Sequence, residues 1–199
     1  MLRSLALLLL LTTAAPAQTP DGDALKGMSW DQIVAEARGD TVTWFMWGGA
    51  DTINAYVSGY IADRLKADYD ITLNRVPITD AADIVNLVLT EKEAGITSGG
   101  AVDLIWINGE NFRSMKQGDL AFCGHTGILP NDALVNWNNP AIANDFGVPV
   151  EGCEVPWNTV QFAFAHDSAV VPEPPRDMAA LLDWIKANPG RFSYPAPPD

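Results

Sequence analysis

Cysteine is scarce in these 199 residues, and so are histidine and positive charge. Two cysteines cannot build a paired C-x-x-C zinc framework or a multiply stapled miniature domain. Two histidines, with no G-x-S-x-G and no H-E-x-x-H run, leave out the common hydrolase and metalloprotease signatures. Twelve Lys and Arg stand against 25 Asp and Glu, a formal net charge of −13. No basic cluster offsets that charge locally, so neither a nucleic-acid partner nor an anionic lipid surface is expected. The acidity mildly favours a cationic ligand, although an acidic surface also simply keeps an exported protein soluble. Beyond the N-terminus no apolar stretch is long enough to span a bilayer. No cofactor and no metal is expected.

What is present begins with an address. Met1-Leu2-Arg3 is a short basic start, residues 4–11 are an apolar run rich in leucine, and Ala15-Pro16-Ala17 supplies small residues where a signal peptidase cuts. Residues 1–17 are therefore expected to be a signal peptide, with Gln18 as the mature start and a soluble periplasmic product. No cysteine stands at the cleavage site to carry a lipid anchor. A hydrophobic content of 48%, with seven tryptophans, predicts a packed core rather than disorder.

In an oxidising compartment the isolated pair Cys123 and Cys153 is most simply one disulfide, closing an irregular loop rich in Asn, Pro and Gly. A metal site is the alternative, because His125 lies two residues from Cys123 and His166 lies beyond Cys153. The ligand spacing that zinc sites usually show is absent.

Hydrophobic periodicity lays out an alternating chain. Ser29-Trp30-Asp31-Gln32 is a capping box, predicting a helix over 30–37 that stops at Gly39. A strand over 41–47 leads through Gly48-Gly49-Ala50-Asp51 into a helix over 52–69, with Ile53, Tyr56, Val57, Tyr60, Ile61 and Leu65 on one inward face. A second strand, 71–76, ends at Pro77. Asp80 caps a helix to residue 94 with Ile84, Leu87 and Val88 inward, and a third buried strand, 102–107, leads through Asn108-Gly109-Glu110-Asn111 into a helix to Gln117. This β-α-β-α-β-α order predicts an α/β fold with a parallel-rich sheet and helices on both faces. Residues 123–157 read as a long functional loop. An alternating strand over 160–165 follows, burying Val160, Phe162 and Phe164. A helix from Asp177 to Ala187, with Met178, Leu181, Leu182 and Ile185 inward, and a strand begun at Phe192-Ser193-Tyr194 complete the pattern.

Turns after the carboxyl ends of parallel strands line a common crevice where ligands bind. The first turn offers Trp47, Gly48, Gly49 and Asp51. The two glycines permit close approach, and Trp47 serves either as a stacking surface or as core. The second turn offers Asn108, Gly109, Glu110 and Asn111, with Glu110 divided equally between ligand contact and helix capping. Trp44 and Trp106, inside strands, are expected in the core. Trp157 and Asn158 close the irregular segment and join the candidate site.

The run Trp44-Phe45-Met46-Trp47-Gly48-Gly49 and the run from Asp103 through Asn108-Gly109-Glu110-Asn111 to Phe112 resemble the extracellular solute-binding proteins of ABC importers. Within them the chain is similar to the subgroup of thiamine-type or uncharacterised members. Gly127-Ile128-Leu129-Pro130-Asn131, Val155-Pro156-Trp157, Gln161-Phe162 and Asp167-Ser168 extend the likeness, which covers about residues 40–199. The resemblance implies a periplasmic-binding-protein-like fold of two lobes that close on a ligand as a hinge moves. It implies lobe one over 18–158, a crossing strand and hinge over 159–171, and the start of an incomplete lobe two over 172–199. Family members of roughly twice this length carry two lobes of ordinary domain size, so the chain is expected to be a truncated two-lobed protein. The partners it implies are a small-molecule solute, polar or cationic, and a membrane permease of the ABC transporter, with the protein itself a monomer and no enzyme. An exported α/β hydrolase is the competing reading. His166-Asp167-Ser168 gives it no support, since a triad brings distant residues together.

Overall fold

The computed structural model describes residues 22–158 and 163–194. The signal-peptide assignment, and Val160 and Phe162 of the expected crossing strand, lie outside the described residues, while the expected burial of Phe164 is corrected, since it is 54% exposed and residues 163–165 form no strand. No helix among the described residues is long and apolar enough to cross a membrane.

Two short helices, α1 (Gly22–Lys26) and α2 (Trp30–Glu36), precede the sheet. The Ser29 hydroxyl accepts from the Gln32 N–H while the Gln32 side chain accepts from the Ser29 N–H, so two otherwise orphaned amides are satisfied at the start of α2. Strand β1 (Thr41–Trp47) occupies the span its hydrophobic pattern predicts. It is the middle strand of a three-stranded sheet, parallel to β2 (Thr72–Ile78) on one side and to β3 (Leu104–Ile105) on the other. The result is an α/β lobe of the periplasmic-binding-protein kind.

Between β1 and β2 the chain forms one continuous helical rod: α3 (Asp51–Ala55), a π-helical turn (Tyr56–Ile61) and α4 (Ala62–Tyr69). The wider π turn, closed by i→i+5 bonds, brings residues four apart into line. Ile53, Val57 and Ile61 accordingly face the sheet, where Val57 packs with Trp44 and Met46, and Leu73 and Trp106 complete this cluster. Met46 and Val57 are wholly buried. Each such side chain contributes about 1.5–3 kcal/mol relative to leaving it in water. The inward placement expected of Tyr56 and Tyr60 is corrected, because the π turn swings both into solvent at 49% and 61% exposure.

Helix α5 (Ala81–Glu93) returns the chain from β2 to β3, and Asp80 caps it by accepting from the Ala82 N–H. The crossover from β1 to β2 and the crossover from β2 past β1 to β3 run in opposite directions across the sheet, so right-handed connections put the α3–α4 rod and α5 on opposite faces. Ile84 and Val85 of α5 are buried, as are Phe112 and Met115 of the neighbouring helix α6 (Gly109–Gln117). Leu87 and Val88 are only half-buried.

Three further expectations are corrected. Strand β2 runs through Pro77 to Ile78, because β2 lies at the sheet edge and a missing N–H on its outer side breaks no ladder bond. Strand β3 is short and half-exposed rather than a full buried strand, with Leu104 47% accessible. The Asp103 N–H donates to the Thr43 carbonyl at 3.2 Å, but the Thr43 N–H goes to the Asp103 carboxylate at 2.7 Å rather than to a backbone carbonyl where β3 would begin. In the C-terminal region, α8 (Met178–Ala187) buries no residue, leaving Met178 and Leu182 largely exposed, and residues 192–194 form no strand.

The segment from Cys123 onward is folded but irregular. It contains 3-10 turns at Thr126–Ile128 and Asp132–Leu134, helix α7 (Pro140–Ala143), and the antiparallel pair β4 (Asn144–Asp145) and β5 (Val148–Pro149). Cys123 and Cys153 are joined in a disulfide. Beside it Gly124 donates to the Gly152 carbonyl at 2.9 Å. A Cβ on Gly152, which has φ +75°, would stand 3.1 Å from Gly124 Cα, so this crossing needs a residue without a side chain.

Candidate functional site

The sheet order places the two crossovers from β1 and to β3 on opposite faces, so β1 and β3 part at their carboxyl ends as at a topological switch point. The turn after β1 and the turn after β3 therefore flank one crevice. Trp157 reaches the same region. Its ring lies 5.6 Å from that of Trp44 and 5.2 Å from that of Trp106, on the two neighbouring strand segments. Tyr56 meets Trp157 edge-on at 6.4 Å and stacks on Tyr60 at 5.4 Å, with ring planes 12° apart.

Within the first turn the glycines accommodate protein groups. A Cβ on Gly49 would fall 2.0 Å from the indole of Trp47, and one on Gly48 would fall 3.0 Å from Pro77 Cβ. Trp47 is half-exposed and folded back over its own turn. Asp51 is exposed at the first residue of α3. Asn54 and Arg75 brace this turn. The Asn54 amide donates to the Gly48 carbonyl at 2.8 Å, and Arg75 donates to Asn54 Oδ1 at 3.3 Å and to the Ser58 hydroxyl at 2.9 Å.

Within the second turn, exposed Asn108 has an extended backbone, and Gly109, buried with φ +58°, starts α6. Its N–H donates to the Asp145 carboxylate at 2.5 Å, so Asp145 supplies the negative cap expected near a helix N-terminus. Glu110 turns along the helix instead and pairs with Arg113 at 3.3 Å. Asn111 is half-buried, and Asn158 is exposed beside Trp157.

Two carboxyl groups missed by the sequence reading dominate the electrostatics here. Burial pushes Asp145 above the usual carboxylate range, opposed by its bond from Gly109. Burial first, and then the nearby Asp145 charge, pushes Glu154 up to about 8, with Lys116 opposing. Lys116 is itself engaged by Glu151 at 2.6 Å and by the Pro149 carbonyl. Neither acid stands in a recognisable motif, so only their tertiary placement reveals them.

Trp44 adds an unusual group. It is 8% exposed, and its indole Nε1 is shielded from solvent with no hydrogen-bond acceptor among the described residues. An unmet buried donor costs about 1–3 kcal/mol. The two histidines are occupied elsewhere, His125 with the Phe122 carbonyl at 2.7 Å and His166 with the Val171 carbonyl at 3.0 Å. No group of three or more potential metal ligands occurs among the described residues. Two open clefts lie away from the crevice, one of about 360 Å³ between Val171, Trp184 and Arg191, and one of about 400 Å³ between Arg113, Lys116 and Pro149.

The chain is 43% identical over 176 residues to protein YnjB of Escherichia coli (strain K12), a match covering 88% of this chain and 45% of that protein. The chain thus spans about half the length of the curated relative it matches. A family model described as bacterial extracellular solute-binding protein matches residues 60–199, which include the turn after β3 and Trp157. The chain belongs to the bacterial extracellular solute-binding proteins.

Proposed function

We propose that this chain is the solute-capturing component of an ABC importer, taking a small polar or cationic solute in the periplasm and delivering it to a membrane permease. The observation that carries the reading is the match to this family, supported by a parallel sheet against which Trp157 packs on Trp44 of β1 and on Trp106 just after β3. Such a crevice needs polar groups that pair and rings that stack, and it needs no reacting group. Trp47, Gly48, Gly49, Asp51, Asn108, Gly109, Glu110, Asn111, Trp157 and Asn158 line or support it. Residues 18–158 act as one lobe, 159–171 as the crossing segment and hinge, and 172–199 as the beginning of a second lobe.

The test is a solute screen read by intrinsic fluorescence, with product analysis by mass spectrometry. A saturable change with the solute recovered intact is expected. Conversion of the bound compound would replace this reading with an exported hydrolase. Loss of binding in Trp157→Ala with an unchanged melting temperature would assign that ring to the crevice.

A further inference from the structure

Helix α1 lies across the stapled segment at the residues that flank Cys123. At its first residue, a Cβ on Gly22 would stand 2.6 Å from the ring of Phe122, so the backbone there rests directly on the aromatic ring. At its last residue, the Lys26 ammonium sits 5.1 Å from the centre of the same ring, and Lys26 Cε lies 3.6 Å from where a Gly124 Cβ would be. Phe122 precedes Cys123 and Gly124 follows it. Helix α1, about 7.5 Å long, therefore touches the chain on both sides of one bridged cysteine.

The two sides of this contact are held with different firmness. Phe122 is fixed within the stapled segment, its ring stacked on His125 at 5.7 Å with planes 16° apart, and Gly124 is tied to the Gly152 carbonyl. Helix α1 buries no residue and rests on this platform through Gly22 and Lys26. Asp23 aims the Lys26 ammonium at 2.9 Å, a surface pair of small worth. A segment held by so little buried contact opens locally while the rest of the fold stands.

We propose that α1 is an N-terminal strap over the Cys123–Cys153 disulfide, and that a dithiol reductant reaches the bond when the strap lifts. Both cysteines are half-buried with α1 in place. In the exchange a reductant thiolate attacks one cysteine sulfur and forms a new S–S bond to it. The Cys123–Cys153 bond breaks, and the other cysteine leaves as a thiolate with the bonding electron pair. The reductant's second thiolate then attacks the mixed disulfide and displaces the first cysteine. Two electrons have passed to the protein, both cysteines take protons from water, and the reductant departs as a cyclic disulfide. The first attack depends on access to a sulfur, and the strap obstructs that approach.

Reduction of the folded 199-residue chain by dithiothreitol, followed by thiol alkylation and mass spectrometry, tests it. Gly22→Val drives a side chain into the Phe122 ring and should lift the strap, speeding reduction about fivefold or more. Lys26→Met keeps the stem but removes the ammonium, and should speed it about two- to fivefold. Both changes fall in a helix that buries nothing, so the melting temperature of the oxidised chain should stay the same. The wild-type rate should vary little with urea up to about 1 M, because lifting the strap exposes little surface. Reduction of Gly22→Val at the wild-type rate would overturn the inference. A wild-type rate that climbs steeply from the lowest urea concentrations would do so too, since the bond would then be reached only as the whole fold opens.

Discussion

The indole of Trp47 lies across Gly49 so closely that a single added methyl carbon would stand 2.0 Å from its ring. The turn after β1 is thus shaped by its own strand's last side chain. Gly49→Ala should expel that ring into solvent, raising iodide quenching of tryptophan fluorescence while costing less than about 1 kcal/mol, because Trp47 is already half-exposed. Gly48→Ala meets Pro77 instead, on a strand with less freedom to yield, and should cost about 1–3 kcal/mol in denaturant unfolding.

Reduction of the Cys123–Cys153 bond should lower stability by about 3 kcal/mol, since the bond closes a loop across a sequence separation of 30. Thermal melts with and without dithiothreitol measure it. Equal melting temperatures would mean that the bridge restrains nothing in the unfolded chain.

The carboxyl pair predicts a pH dependence. Glu154 holds its proton in the folded chain up to about pH 8, whereas in the unfolded chain it ionises in the ordinary carboxylate range. Unfolding between those limits releases a proton, so this group's contribution is greatest at low pH and is lost as pH rises toward 8. The melting temperature of the wild type should therefore fall relative to Glu154→Gln as pH is raised from about 5 to 8, and the difference should level off above. A constant difference across that window would contradict the assignment.

Asp145→Asn keeps an acceptor for the Gly109 N–H but removes the charge that faces Glu154. The Glu154 pKa should move down in this variant, followed by carboxyl-carbon NMR. Asp145→Ala removes the cap as well and should cost about 1 kcal/mol more of α6 stability.

Hydrogen exchange should separate the sheet lobe from the C-terminal helix. No residue of α8 is buried, so its amides should exchange through local opening much faster than those of β1 or of the helical rod carrying Val57. Equal protection would mean that α8 opens only when the whole chain unfolds.

Much of the fold was legible because local signals and tertiary packing agreed. The Ser29–Gln32 capping box, the span of β1, the Asp80 cap and the cysteine pair each carry their meaning within a few residues or in a simple count. Where the reading failed, the deciding interaction was distant or the period itself changed. Pro77 looked like a strand terminator because its edge position depends on the order of all three strands. Tyr56 and Tyr60 fit an α-helical stripe, but the π turn rephased it. The apolar positions of α8 have helical spacing without a surface to meet among the described residues. At the candidate site the glycine turns and Trp157 could be named from sequence. The bracing by Asn54 and Arg75, and the acids Asp145 and Glu154, emerge only when segments far apart in the chain come together.

The disulfide has a consequence beyond loop closure. Cys153 lies four residues ahead of Trp157, a tether that extends no further than about 14 Å. Anchoring that tether to the residue after Phe122 raises the effective concentration of the Trp157 indole near Trp44 and Trp106, in the way a short linker makes a second contact intramolecular. A thiol pair would leave the same indole on a leash many times longer, free to sample far more volume before finding its neighbours. The oxidation state of two sulfurs therefore governs how often an aromatic surface several residues away is assembled.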